Sequence, residues 1–260
     1  MLGVLQGLAE FLPISSSAHL SLAPWIFGWP APGLAFDVSL HVGTLAAVLW
    51  FFQEEWTRLV RGGFEIIRAG KVQTEAQRRA VFLVIATIPG GIAGILLNKF
   101  AETIFRTPAL TGAALIIMGV VLWAIDKLAP SARPIETMRW QDALVFGLAQ
   151  VVALVPGVSR SGSTIAAGRA LGFSRESAAV FSFLMSMPIT AAAAAVKVPE
   201  AIRESGLGAP LLVGIVASAV SGWLAISVLL KYVSRHSFGV FAWYRLALGV
   251  FVLWLVAHRV

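Results

Sequence analysis

The fold is decided by the stretch Gln6-Gly-Leu-Ala-Glu-Phe-Leu-Pro-Ile-Ser-Ser-Ser-Ala-His19, which places a carboxylate, three hydroxyls and an imidazole within fourteen residues of an apolar chain. Neither the apolar segment before Pro13 nor the segment from Leu20 to Phe27 reaches the ~20 residues that a helix needs to cross a bilayer. Two half-helices joined by a polar turn are typical of a re-entrant hairpin, which is tolerated at membrane depth when it is buried in protein or lines a wet cavity. We therefore predict a hairpin with a polar tip inside the membrane.

The composition of the whole chain is that of an integral membrane protein. Of its 260 residues, 58% are hydrophobic and 13% are charged, whereas about a quarter are charged in a soluble domain. Apolar segments recur along the entire length, which predicts an all-α, multi-pass helical bundle in a single membrane domain. The absence of cysteine excludes disulfides and thiolate metal sites. The net charge of +7 is not a sign of nucleic-acid binding, because most basic residues fall in loops between spans.

The opening pattern returns in the second half of the chain. Gly147-Leu-Ala-Gln150 matches Gly7-Leu-Ala-Glu10, and a Pro and Ser cluster follows each copy. This predicts a second re-entrant hairpin at about 142–172 and divides the chain into repeat one, about 1–126, and repeat two, about 140–260. Three spans are predicted after each hairpin, and the polar stretch 53–79 suits an interfacial amphipathic helix. The predicted spans are 36–52, 80–97, 109–125, 178–196, 210–230 and 240–257.

The basic residues predict how the repeats are oriented. Because three spans is an odd number, repeat two is expected to lie upside down relative to repeat one, with the hairpin tips meeting near the middle of the bilayer. The positive-inside rule agrees when the 53–79 stretch is placed in the cytoplasm. The cytoplasmic side then holds Arg58, Arg61, Arg68, Lys71, Arg78, Arg79, Lys127, Arg133, Arg139, Arg169, Arg175, Lys231 and Arg235. The opposite side holds Lys99, Arg106, Lys197, Arg203 and Arg259.

Arg160 is the strongest candidate for anion binding. It lies at the tip of the second hairpin, and an arginine at membrane depth costs several kcal/mol unless it is paired or hydrated. Its planar guanidinium matches phosphate oxygens, and Gly157 and Gly162 allow the backbone to approach an anion. The alternative is that Arg160 pairs with Glu10 to tie the hairpins together. Further hydroxyl donors in this tip are Ser159, Ser161, Ser163 and Thr164.

In the first hairpin, Gln6 and Glu10 are four residues apart, so both lie on one face of a helix. A carboxylate at this depth acts as a general base, or it binds a divalent cation together with Gln6 and a phosphate. We therefore expect Glu10 to be catalytic, and Glu10 with Gln6 to be the ligands of a metal such as Mg²⁺ or Ca²⁺.

The remaining polar side chains of this tip are Ser15, Ser16, Ser17 and His19. The serines are candidate nucleophiles or phosphate donors, and His19 is the natural proton carrier near neutral pH. For the serines the alternative is helix capping after Pro13, which we expect for at least one of the three. For His19 the alternative is an interior histidine with satisfied hydrogen bonds.

Other polar residues leave two interpretations open. Asp37 and His41 share a helix face and either line the cavity or hold a neighbouring helix. Arg245 is the second basic residue outside the loops, and it is either functional or an interface anchor that snorkels. Three hydroxyl residues of repeat two are expected only to join neighbouring helices by hydrogen bonds: Ser182, Ser186 and Thr190.

The two motifs resemble the signatures of the undecaprenyl-diphosphatase family, the bacitracin-resistance proteins of bacterial cell membranes. Phe36-Asp-Val to Gly43-Thr-Leu-Ala-Ala-Val is similar to a third recurring stretch, and the likeness covers essentially the whole chain. It implies hydrolysis of undecaprenyl diphosphate to the monophosphate, which recycles the lipid carrier of peptidoglycan, with a divalent cation and a site open to the outer, periplasmic face of the inner membrane. The positions that match family motif residues are Gln6, Glu10, Ser16, His19, Ser159, Arg160 and Thr164.

The chain departs from the family pattern at a few positions. Many members have Glu where Gln6 stands and Gln where His41 stands, and most carry a longer lead before the first motif, so the start of this chain is expected to be shortened or misassigned. The attacking group, Ser16, His19 or water, stays open, and so does the oligomeric state, with a homodimer as one alternative. A different class of function, a transporter or flippase for a lipid phosphate or small anion, fits the repeats but does not need the Glu, Ser and His cluster.

Overall fold

The computed structural model of the chain describes residues 1–30, 33–102, 107–130, 133–205 and 208–258, and in these ranges the regular structure is helical. Arg106 and Arg259, which the charge count placed on the outer side, lie outside the described residues. A short 3₁₀ turn, Ile135–Thr137, precedes the second half. The helices are α1 Leu2–Phe11, α2 Ser16–Phe27, α3 Leu34–Phe51, α4 Gln53–Ala69, α5 Glu75–Glu102, α6 Pro108–Leu128, α7 Trp140–Val152, α8 Arg160–Ala170, α9 Arg175–Ser205, α10 Ala209–Val233 and α11 Gly239–His258.

Five of these helices, α5, α6, α9, α10 and α11, have the length and hydropathy of membrane spans. Helices α3 and α4 qualify only as a pair, and they are bent by 87° at their junction. The multi-pass helical fold is therefore confirmed. One boundary was wrong: α5 begins at Glu75, so the interfacial helix ends at Ala69 and does not extend to residue 79.

The two polar motifs interrupt helices where the sequence predicted it. The first break separates α1 from α2, and the second separates α7 from α8. Ser15 and Ser159 cap the helices that follow, and both have a positive φ, 77° and 71°, which no other non-glycine residue of the described ranges has. A positive φ at serine is strained, and such strain is common at functional sites. Whether each pair enters and leaves on one side of a membrane stays a prediction.

The two halves pack against each other reciprocally. The first short helix of one half, α1, packs on α10, while the first short helix of the other half, α7, packs on α5. Corresponding long helices of the two halves also contact each other: α3 packs against α9, and α6 packs against α11. This is the packing that a two-fold internal repeat requires. The inverted orientation and the repeat boundaries at about 126 and 140 stay predictions.

Small residues bring α1 close to α10. A Cβ atom at Gly3 would lie 2.2 Å from the carbonyl oxygen of Gly214, and one at Gly7 would lie 2.0 Å from Ser221 Oγ. The spacing Gly3-x-x-x-Gly7 is a known close-packing pattern of membrane helices. Glu10 is also part of α1, so its position depends on the close packing that these two glycines allow because they have no side chain.

We expect Gly7→Ala to destabilise the protein, because the added methyl group meets the backbone of α10 and α1 must shift. The matched control is Gly63→Ala on α4, where a Cβ atom would meet nothing within 4 Å. The control is expected to be neutral or stabilising by up to about 1 kcal/mol, since alanine favours a helix more than glycine. Thermal unfolding in detergent measures both. An unfolding temperature for Gly7→Ala equal to that of the wild type would contradict the close contact.

One buried charge cluster was not predicted. Arg169 was assigned to a cytoplasmic loop, but it lies in α8 and is fully buried. Its Nε donates to Asp126 Oδ1 at 2.9 Å, and Arg175 Nε donates to the same oxygen at 2.8 Å. The other oxygen of Asp126 accepts from the backbone N–H of Phe238. This cluster fixes the end of α8 opposite Arg160, so it holds the second tip in place.

Candidate active site

The tips of the two broken helix pairs meet at a cavity of ≈ 200 Å³. The first turn of α2 contributes Ser16 and Ser17, and the start of α8 contributes Ser159 and Arg160. Helix N-termini carry a partial positive charge, and two of them facing one cavity favour an anion. The remaining lining residues are Glu10, Val38, His41, Ala153, Ile189, Thr190 and Ala193.

Glu10 is the centre of the polar contacts in this cavity. Its Oε2 accepts from Ser16 Oγ at 2.6 Å and from Gln6 Nε2 at 2.9 Å. Its Oε1 accepts from Arg160 Nη2, and His41 Nε2 lies 3.4 Å from Oε2. A serine hydroxyl held by a buried carboxylate is the arrangement of a nucleophile beside its general base.

Arg160 joins the two hairpins and also faces the cavity. Its Nη2 pairs with Glu10, and its Nη1 donates to the carbonyl oxygen of Ser186 at 3.1 Å and to Thr190 Oγ1 at 2.9 Å. The ion pair that we considered as an alternative to anion binding is therefore present. It does not exclude anion binding, because 19% of the Arg160 side chain remains exposed, and the residue lines the cavity beside Ser16.

The histidine in this cavity is His41 and not His19. The ring of His19 stacks on Tyr244, its Nε2 lies 2.7 Å from the tyrosine hydroxyl, and its Nδ1 donates to the carbonyl oxygen of Ser15. Glu10, Ser16 and Arg160 are brought together as the sequence expected, but His19 is not among the residues that line the cavity. His41, which the sequence left undecided, supplies the imidazole.

The three serines of the first tip have three different roles. Ser15 is the helix cap that we expected among them: its Oγ accepts from the N–H of Ala18 and also from the N–H of Gly157 across the hairpins. Ser16 bonds Glu10. Ser17 is exposed in the cavity, with its Oγ 3.2 Å from Ser15 Oγ. Only Ser16 and Ser17 are therefore placed to contact a bound phosphate.

In the second tip, Ser159 caps α8 by accepting from the N–H of Gly162 at 3.0 Å, and it lines the cavity. Two other hydroxyls that we expected to bind phosphate instead donate to backbone carbonyl oxygens. Ser161 Oγ donates to the carbonyl oxygen of Leu12, and the Thr164 hydroxyl donates to the carbonyl oxygen of Arg160. A Cβ atom at Gly157 would lie 2.5 Å from the carbonyl oxygen of Thr111, so this glycine allows the tip to approach α6.

Comparisons with known proteins decide the family. The family model of the bacitracin resistance protein BacA matches residues 1–251. The chain belongs to the BacA family. A relative from Gemmatimonas aurantiaca, named undecaprenyl-diphosphatase, is 56% identical over 259 residues, covering 100% of this chain and 97% of the relative. Another of the same name from Pelotomaculum thermopropionicum is 48% identical, covering 100% of this chain and 96% of the relative.

For this BacA-family chain, Arg245 is a residue whose place the sequence left open. It is fully buried in α11, so it is not an interface anchor. Its guanidinium donates to the carbonyl oxygens of Pro13 at 3.0 Å, Gly157 at 2.6 Å and Val158 at 3.0 Å, and it also reaches Leu115. One arginine thus binds the turns of both hairpins. The sequence signal was its depth in a span, which marks a functional or structural arginine.

We expect Arg245→Leu to lower the stability of this BacA-family protein by about 3 kcal/mol or more, because three turn carbonyls lose a charged donor at membrane depth. The matched control is Arg235→Leu, an exposed arginine beyond the end of α10. Thermal unfolding in detergent measures both variants. The control is expected to unfold at the wild-type temperature, and a similar result for Arg245→Leu would remove its role at the tips.

Proposed function

We propose that this protein hydrolyses undecaprenyl diphosphate to undecaprenyl phosphate and inorganic phosphate. This reaction recycles the lipid carrier for peptidoglycan synthesis and confers bacitracin resistance. The observation that carries the proposal is the hydrogen bond of 2.6 Å from Ser16 Oγ to Glu10 Oε2 in a cavity that also holds Arg160. The names of the relatives at 56% and 48% identity support the same activity.

In the proposed mechanism, the cavity holds the terminal phosphate between Arg160 and the first turns of α2 and α8. Ser16 Oγ attacks the terminal phosphorus, and its proton passes to Glu10. The bond from this phosphorus to the bridging oxygen breaks, and undecaprenyl phosphate leaves with the electron pair. The leaving undecaprenyl phosphate takes up the proton from Glu10. Water then attacks the phosphorus of the phosphoserine while Glu10 removes a proton from this water. The bond from phosphorus to Ser16 Oγ breaks, Oγ takes the proton back from Glu10, and inorganic phosphate is released. Arg160 neutralises the charge that develops on the phosphoryl oxygens.

We also propose that Glu10 and Gln6 would hold a divalent cation, Mg²⁺ or Ca²⁺, when the diphosphate is bound. Within the described ranges no group of three or more His, Asp or Glu residues could hold a metal alone. Magnesium is often bound by one or two carboxylates together with substrate phosphates, and this site fits that type. Gln6 Oε1 is a second oxygen beside Glu10, buried and without a hydrogen-bond partner in the described part of the chain. The bound cation would neutralise phosphate charge.

We infer that the cavity opens to the periplasmic face of the bacterial inner membrane. The lining residues Val38 and His41 lie near the start of α3, and Ile189 and Ala193 lie near the middle of α9. Basic residues lie at the start of α9 and on α4, which follows the end of α3, and basic residues collect in the cytoplasm.

A transporter of lipid phosphates is the alternative, and an assay in liposomes separates the two functions. The purified protein is reconstituted with a long-chain prenyl diphosphate, and the release of phosphate is measured with Mg²⁺, with EDTA, and after Mg²⁺ is added back. We expect release that EDTA abolishes and Mg²⁺ restores. Transfer of intact diphosphate between leaflets without phosphate release would favour transport. Phosphate release at the full rate in EDTA would contradict the requirement for a divalent cation.

A further inference from the structure

Helix α4 leaves the bundle at the end of α3. Its axis turns 87° from that of α3, which packs against α9 and α10. Leu59 and Gly62 are the buried residues of α4 and face the start of α5, where a Cβ atom at Gly62 would lie 3.2 Å from the N–H of Gln77. A helix that turns away from a span at this angle, with one apolar side and one charged side, runs along the membrane surface.

The angle between α3 and α4 forms a groove of ≈ 710 Å³. Leu49 of α3 and Val60 and Phe64 of α4 line it, with 45%, 51% and 69% of their surface exposed. Apolar side chains exposed at this junction suit hydrocarbon better than water. The groove shares no lining residue with the cavity that contains Glu10.

Two arginines line the charged edge of this groove. Arg61 and Arg68 are seven residues apart, so they lie on the same side of α4 about 10 Å from each other along the axis. Neither forms an ion pair with any described residue, whereas Arg58 on the same helix pairs with Glu54 and Glu55. The carboxylate of Glu65 also lines the groove, where it accepts from Gln77 Nε2 at 2.9 Å.

We propose that this groove binds an anionic phospholipid. The phosphate lies between Arg61 and Arg68, and the acyl chains cover Leu49, Val60 and Phe64. A soluble anion would leave the apolar surface uncovered, and a zwitterionic lipid brings its own cation next to the phosphate. An anionic lipid covers the apolar surface with its acyl chains and pairs its phosphate with the arginines, because basic side chains are attracted to a negatively charged membrane surface.

Native mass spectrometry of the full chain tests the proposal with phosphatidylglycerol and phosphatidylcholine as probes. We expect the wild type to retain phosphatidylglycerol in preference to phosphatidylcholine, and Arg61→Ala/Arg68→Ala to bind phosphatidylglycerol about tenfold more weakly. The control Arg58→Ala removes the same charge from α4 at a residue that does not line the groove and is expected to bind like the wild type. Unfolding temperatures confirm that the variants are folded.

Three results would overturn the proposal. One is equal retention of the two lipids by the wild type, and another is unchanged phosphatidylglycerol binding in the double variant. The third is displacement of phosphatidylglycerol from the wild type, but not from the double variant, by a long-chain prenyl monophosphate, which would assign the groove to the product lipid of the proposed reaction. Because none of these measurements depends on phosphate release, the proposal stands or falls independently of the hydrolytic function.

Discussion

Replacing Ser16 with alanine is expected to lower phosphate release from a prenyl diphosphate by about 10⁴-fold, because the variant lacks the attacking oxygen. The change removes one hydroxyl from a half-buried position and should leave the fold intact, since Glu10 keeps its contacts with Gln6 and Arg160. The measurement is the initial rate of phosphate release by purified protein in detergent.

The control for this variant is Ser17→Ala. Ser17 is the next residue of the same helix turn and lines the same cavity, but its hydroxyl bonds Ser15 and not Glu10. Its loss is expected to reduce the rate by less than about tenfold, the worth of one hydrogen bond. If Ser16→Ala keeps more than a tenth of the wild-type rate, Ser16 is not the nucleophile, and water activated by Glu10 becomes the attacking group.

Glu10→Gln is expected to lower the rate by about 10³-fold or more, since the variant loses the general base. The amide has nearly the size of the carboxylate, so packing is preserved, but it carries no charge to pair with Arg160. Some loss of stability is therefore expected as well, because Arg160 is left partly buried without its partner. Phosphate release and thermal unfolding are measured on the same preparation.

The matched control is Glu54→Gln on α4, where the carboxylate is 85% exposed and pairs with Arg58. An exposed pair of this kind contributes about 0–1 kcal/mol, so both rate and unfolding temperature are expected to stay at wild-type values. A folded Glu10→Gln variant with a rate within tenfold of the wild type would exclude Glu10 as the base.

Local signals in the sequence were sufficient to predict the two helix breaks and the contact between their polar tips. Pro13 and the serine run end one helix and cap the next, and both effects depend only on neighbouring residues. Glu10 and Arg160 were expected in one site because each is a charge at the tip of an interrupted apolar segment. The pair does form, together with Ser16.

The start of α5 could have been found from the sequence. Thr74 and Gln77 have the spacing of a capping box: Thr74 Oγ1 accepts from the N–H of Gln77, and Gln77 Oε1 accepts from the N–H of Thr74. The span was predicted to begin only at residue 80, because the charged residues Glu75 and Arg79 have low hydropathy. They instead form an ion pair with each other at the helix end.

The remaining parts of the site depend on how distant helices are rotated. His41 and Thr190 enter the cavity from α3 and α9, and Arg245 reaches both turns from α11. No local pattern encodes those rotations, which follow from packing between helices far apart in the chain. For the same reason the direction of His19 was not predictable, because Tyr244, 225 residues away, holds its ring.

The most direct test of the hydrolytic site is one time course of phosphate release from undecaprenyl diphosphate by the purified wild type, beside Arg160→Ala. Arg160 is the contact between the two hairpins and the cation that faces the cavity, so removing it should abolish catalysis by the shared site. We expect steady multiple-turnover release by the wild type and a rate lower by about 10³-fold in the variant. No release by a folded wild type, or equal release by both proteins, would contradict it.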